Sequence, residues 1–196
     1  NTLILSCITL NYIKVYYRFG KVKLTPMSVK NILLAQYDLH NALFNNVLAG
    51  ISDEESNQTV AGMKNNIKWI AGHMLWDQGI LAVIGGIKVD IPWAYHFMSK
   101  EGATEDDLKA PACELPTLQM IRNKWAEILP VIRNCLDSLT DEKLEQKVDI
   151  PHPMYKFNNT LAGVWAYANH HHAYSIGQLS IFRRALGKGA MSYAIA

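Results

Sequence analysis

Dense positive charge is missing from this chain. Its 196 residues carry a formal net charge of +2, and no stretch combines clustered Lys and Arg with regularly placed aromatics, so a nucleic-acid partner is not expected. Cysteine is scarce as well. Cys7, Cys113 and Cys135 stand far apart with no CxxC pair, which removes the zinc knuckle and the dithiol redox centre from consideration. They read as reduced thiols of a cytoplasmic protein. Cys113 lies shortly before a predicted helix, yet no basic neighbour would activate it, and it reads as an inert thiol. A membrane-length apolar run is also lacking. "NTLILSCITLNYIKVYY" at the N-terminus is apolar, but it is shorter than a span and has neither the basic start nor the cleavage site of a secretory signal. No membrane partner is expected.

What the chain does have is apolar content: 49% hydrophobic against 18% charged residues suits one globular domain with a sizeable core. Organised patterning begins at "PMSVKNILLAQYDLHNALF", where Met27 has the look of an initiator and Ser28 of an N-cap. Residues 1–26 are accordingly expected to be an extension outside the fold, and residues 27–196 the folded domain.

Four long helical patterns follow. The first covers Val29 to Ala49, with Ile32, Leu33, Leu39, Leu43 and Val47 on its apolar face and Gly50 closing it. A polar connector with a short turn capped by Ser52 leads to the second, Lys64 to Ile84, which ends at Gly85–Gly86. Its inward stripe runs through Ile70, His73, Asp77, Ile80 and Ile84. His73 on that stripe is either a hydrogen-bonded core imidazole or a metal ligand supported by the carboxylate one turn later. The long connection "IKVDIPWAYHFMSKEGATEDDLKAPACELP" then offers one short turn at "TEDDLKA", and Trp93, Tyr95, His96 and Phe97 either overhang a pocket or pack the connection down.

The third helix, Thr117 to Leu136, contains Pro130, which predicts a kink or break near Leu129. After a turn capped by Thr140, "KVDIPHPMYKFNNT" reads as a strand pair or an irregular strap, with Asn159 or Thr160 capping the last helix, Leu161 to Leu186. That helix carries three consecutive histidines, 170 to 172. Successive residues turn by about 100°, so the three cannot all face inward. His171 shares a face with position 175, the spacing at which two metal ligands converge, but position 175 is a serine. His170 and His172 are expected nearer solvent or a helix interface.

"HHAYSIGQLSIFRRALG" resembles the last-helix signature of the DinB-like superfamily, and "NNIKWIAGHMLWDQGIL" resembles its second-helix signature. The resemblance implies an all-α fold: an antiparallel-type four-helix bundle with a long crossover, often a homodimer. It also implies a divalent metal, zinc or nickel, held by three histidines at one end, and an activity of the kind shown by relatives that transfer low-molecular-weight thiols to small-molecule substrates. Carried over position by position, His73 matches the first ligand and His171 the second, while Ser175 occupies the place of the third.

A neutral hydroxyl is a poor ligand for zinc or nickel. Three arrangements are then open: Asp77 substitutes as a carboxylate ligand, His172 substitutes after a local rotation, or the site stays empty and Tyr174, His171 and Ser175 line a polar pocket. A serine nucleophile is not among them, because backbone N–H groups in mid-helix are already bonded and supply no oxyanion hole. Two functions are compatible with the sequence: a metal-dependent thiol transferase or related enzyme, and a metal-free bundle that binds a small molecule or a partner protein.

Overall fold

The structure is a computed structural model, and it describes residues 28–60, 62–98, 114–150 and 158–194. The expectations for residues 1–26, Met27, Cys113 and the "TEDDLKA" turn lie outside these residues.

Among the described residues there are six α-helices: α1 (Val29–Leu48), α2 (Asp53–Ser56), α3 (Ile67–Ile84), α4 (Leu118–Ser138), α5 (Asp141–Leu144) and α6 (Leu161–Ala185), with a 3-10 turn at Ala94–Phe97. Each α-helix begins at a side chain that accepts a backbone N–H otherwise left without a partner. The caps are Ser28, Ser52, Asn66, Thr117, Thr140 and Thr160. At Ser52 the cap is reciprocal, since Glu55 Oε2 accepts from the Ser52 N–H at 2.8 Å. Gly86 and Gly187, with φ of 72° and 74°, follow α3 and α6 in the left-handed conformation that suits glycine.

The four long helices form a ring in which α1 packs on α6, α6 on α3, α3 on α4 and α4 on α1. Cross-links set their directions. Asn169 Nδ2 donates to the Leu33 carbonyl, and Arg183 Nη1 to the Val47 carbonyl, so α1 and α6 run parallel. Asp38 pairs with Arg133, while Lys30 donates to the carbonyls of Asp137 and Leu139 beyond it, so α1 and α4 are antiparallel. Asp53 binds the starts of both α3, through Lys68, and α4, through the Leu118 N–H, which makes α3 and α4 parallel. Parallel neighbours require a connection that returns the length of the bundle, and this is the long crossover between Ile84 and Leu118.

Pro130 does not break α4, which is continuous from Leu118 to Ser138. The proline is exposed, and Trp125, Ile128, Ile132 and Leu136 anchor the inner face of the helix on both sides of it. The described ends of the strap before α6 meet in one antiparallel bridge, Lys147 with Thr160, with the Val148 N–H donating to the Asn159 carbonyl at 2.8 Å; residues 151–157 of the strap lie outside the described residues. Thr160, rather than Asn159, is the cap.

Two stripes differ from expectation. On α1, Ile32 and Leu39 are exposed, and the buried line is Leu33, Tyr37, His40, Phe44 and Val47. On α3, Ile70, His73 and Asp77 are buried as expected, while Ile80 and Ile84 are only partly covered. Leu33, Leu43 and Val47 are buried as expected, and the stripe they belong to also runs through a tyrosine and a histidine.

Candidate functional site

His73 sits in the middle of α3, where Asn66 starts the helix and Gly72 leaves room for the crossover to come down. The Phe97 ring rests on Gly72, and the Phe97 carbonyl lies 2.8 Å from His73 Nδ1. A carbonyl only accepts, so Nδ1 carries the proton and the neutral ring offers its lone pair at Nε2. Burial lowers the pKa of His73, opposed by the Phe97 bond, and this favours that neutral form. The ring is also clamped. Trp69 and Trp76, one turn to either side, stack on it at 4.9 Å and 5.2 Å with interplanar angles of 13° and 18°. Phe97 of the 3-10 turn therefore packs down and orients a histidine, while Tyr95 stays exposed.

His171 on α6 meets His73 edge to face, with ring centroids 5.0 Å apart, and Tyr167 stacks on its other side at 6.1 Å. Asp77, one turn after His73, reaches across to the same helix. Its Oδ2 is 3.5 Å from His171 Nδ1 and 3.0 Å from His172 Nε2. Burial would raise the Asp77 pKa, but hydrogen-bonding and charge interactions with His171 and His172 outweigh it and hold the carboxyl well below the usual carboxylate range. Asp77 is thus a buried carboxylate kept ionised.

Of the two places expected for His172, solvent and a helix interface, it takes the second. It is 1% exposed, whereas His171 lies on the flank of α6 and His170 faces solvent. The buried positions of α6 include Leu161, Trp165, Ala168, His172, Ser175, Leu179 and Phe182, a run of threes and fours with His172 at its centre. Spacing pairs Ser175 with His171, whereas packing buries Ser175 together with His172. Ser175 is itself buried, one turn beyond both histidines. Tyr174, expected to line the pocket, is 63% exposed and points away from the core.

Behind His172 lies a second tier of polar groups. His40 of α1 meets its ring edge to face at 6.4 Å, and Trp125 of α4 does so at 5.7 Å. Burial, with the neighbouring His172, pushes the His40 pKa down to about 4. Tyr37 donates to Gln78 Oε1 at 2.6 Å. His40 Nδ1, Gln78 Nε2, Asn169 Oδ1, Asp77 Oδ2, His171 Nδ1 and both nitrogens of His172 are buried without an aligned hydrogen-bond partner. Buried polar atoms are ordinarily paired, so such a concentration marks a place built for something other than packing. His172 and His40 carried a sequence signal, because each falls on its helix's buried period. The Phe97 carbonyl carried none, being backbone.

The donor chemistry suits a divalent cation: an oriented imidazole lone pair, a second imidazole and a carboxylate, with buried atoms awaiting partners. Their assembly is incomplete. Among the described residues, no three His, Cys, Asp or Glu side chains form a group that could hold a metal ion as they stand. No helix among them is long and apolar enough to cross a membrane.

No curated protein matches the chain. Its fold is shared with the crystal structure of a conserved protein from Enterococcus faecalis, at 17% identity and a TM-score of 0.62, over 83% of this chain and 99% of that one. The model of the DinB superfamily matches residues 36–179, which include α3 and the histidine run of α6. By that match over most of its length, and by the bundle that carries it, the chain belongs to the DinB superfamily.

Proposed function

We propose that this protein binds a divalent cation, zinc or nickel, through His73, His171 and Asp77, and uses it in a transfer reaction on a small-molecule substrate with a low-molecular-weight thiol. The observation that carries the reading is His73. Its ring is held between two indoles, its Nδ1–H is committed to the Phe97 carbonyl, and its Nε2 lone pair is left for a ligand. That is the arrangement by which proteins fix a metal-binding imidazole from behind. Asp77 takes the part that Ser175 is unable to play, giving a set of two imidazoles and one carboxylate with positions left for a substrate. When bound, such an ion supplies Lewis-acid polarisation and lowers the pKa of a coordinated thiol. Around it, Trp69, Trp76 and Tyr167 lie beside the two histidines and reduce the access of water. The work is assigned to the cytoplasm, where the cysteines stay reduced, and a homodimer is proposed on the superfamily's habit.

A second reading is favoured by a specific observation, the lack among the described residues of three converged donors. In it the same cluster is a metal-free polar site for a small molecule or a partner protein, and the protein catalyses nothing.

The metal content of untagged protein, purified without chelator, separates the two. Close to one equivalent of zinc or nickel in the wild type, lost in His73→Ala, supports the first. Empty protein in both cases, even after incubation with metal, leaves the second.

A further inference from the structure

We propose that His172 is a positioning residue for Asp77, holding the carboxylate from the buried side so that it faces His171. The proposal rests on the cation reading above and adds a residue to it. His172 Nε2 lies 3.0 Å from Asp77 Oδ2, closer than His171 Nδ1 at 3.5 Å, and His172 is 1% exposed. The ring has little freedom to leave, since His40 and Trp125 meet it from α1 and α4. Asp77 in turn has a short side chain on α3, and its Oδ2 is shut away from solvent.

A carboxylate accepts at several lone-pair sites, so one N–H from His172 does not exhaust it. The two atoms are within reach at 3.0 Å but not aligned as they stand; with the N–H turned onto Oδ2, the contact steers the group while leaving capacity for a ligand on the side of His73 and His171. Supporting partners of this kind orient metal-binding carboxylates and imidazoles, and their loss weakens metal binding by about 10–100-fold. The role demands a proton on His172 Nε2. It also gives a reason for an imidazole on the core stripe of α6, where every other large side chain is apolar.

The first readout needs no metal. Imidazole nitrogen chemical shifts of the wild-type chain are expected to report a proton on His172 Nε2, and a ring protonated at Nδ1 alone would overturn the proposal. The second is cobalt(II) titration of the wild type, His172→Gln, His172→Leu and His73→Ala, followed by visible absorption, with folding checked by circular dichroism. Glutamine keeps an N–H near the place of Nε2, so His172→Gln is expected to bind within about threefold of the wild type, and His172→Leu about 10–100-fold more weakly with altered cobalt bands. If His172→Leu binds as the wild type does while His73→Ala does not, the cation reading stands and the role of His172 is refuted. If the wild type binds no cobalt, the cation reading falls and takes this role with it. If His172→Leu does not fold, the tautomer of the wild type decides.

Discussion

Gly72 is the residue through which the crossover reaches His73, and replacing it tests that linkage directly. A Cβ at position 72 would lie 2.5 Å from Cγ and Cδ1 of Phe97 and 2.6 Å from Cδ2. Carbon atoms in good contact are about 3.5–4.0 Å apart, so the ring has to retreat by roughly 1 Å. Phe97 is only 4% exposed, so the ring is displaced against packed neighbours. Overpacking of this kind costs about 1–3 kcal/mol. Loss of the Phe97 bond to His73 adds about 0.5–1.5 kcal/mol. Alanine's better helix propensity returns about 1 kcal/mol. The net expectation for Gly72→Ala is a destabilisation of about 0.5–3.5 kcal/mol. Gly177 in α6 is the control, because a Cβ there meets nothing within 4 Å. Gly177→Ala should gain up to about 1 kcal/mol, since only the propensity and the unfolded-chain entropy change. Urea unfolding of both variants reads the contrast, and histidine nitrogen shifts report whether His73 in Gly72→Ala still carries its proton only on Nδ1. Equal stabilisation by the two alanines would refute the packing of Phe97 on α3. An unchanged His73 tautomer in a destabilised Gly72→Ala would refute the claim that this packing orients the histidine.

Three further outcomes are expected. Trp125 stacks on Phe44 at 4.0 Å, donates to Asn41 Oδ1 and is fully buried, so Trp125→Ala should lose about 3–5 kcal/mol in urea unfolding, and a loss below about 1 kcal/mol would contradict its place in the core. His40 has a pKa of about 4 in the folded protein against an ordinary 6.5, so the unfolded chain binds the extra proton between those values. Its contribution to stability is complete above pH 6.5 and declines as the pH falls towards 4, and His40→Asn should flatten the drop in urea midpoint between pH 7 and 5. Ser175→His should raise zinc or nickel affinity at least about tenfold in a binding titration, and an unchanged affinity would mean that position 175 does not address the His73 side.

Much of the architecture was legible because its signals are local. Ser28, Ser52, Thr117 and Thr140 cap helices where a hydroxyl before an apolar period predicts a start, and glycines at positions 50, 86 and 187 close α1, α3 and α6 through positive φ. The second-helix and last-helix motifs carried the fold family, and His73, Asp77 and His171 do meet at one place in the bundle.

What required tertiary structure was the direction in which side chains point once four helices close on one another. Three consecutive histidines offer three faces, and the choice among them depends on which face of α6 the other helices cover; that face contains His172. Pro130 threatened a break that the packed inner face of α4 overrides. His73 gained its tautomer from a backbone carbonyl 24 residues away in the chain, a partner that no side-chain pattern encodes. Capping, periodicity and turn chemistry are properties of neighbours along the chain, so residue order alone determined them. The ionised Asp77 between two imidazoles depends on charges and desolvation contributed by different helices, and it exists only where the packed bundle brings them together.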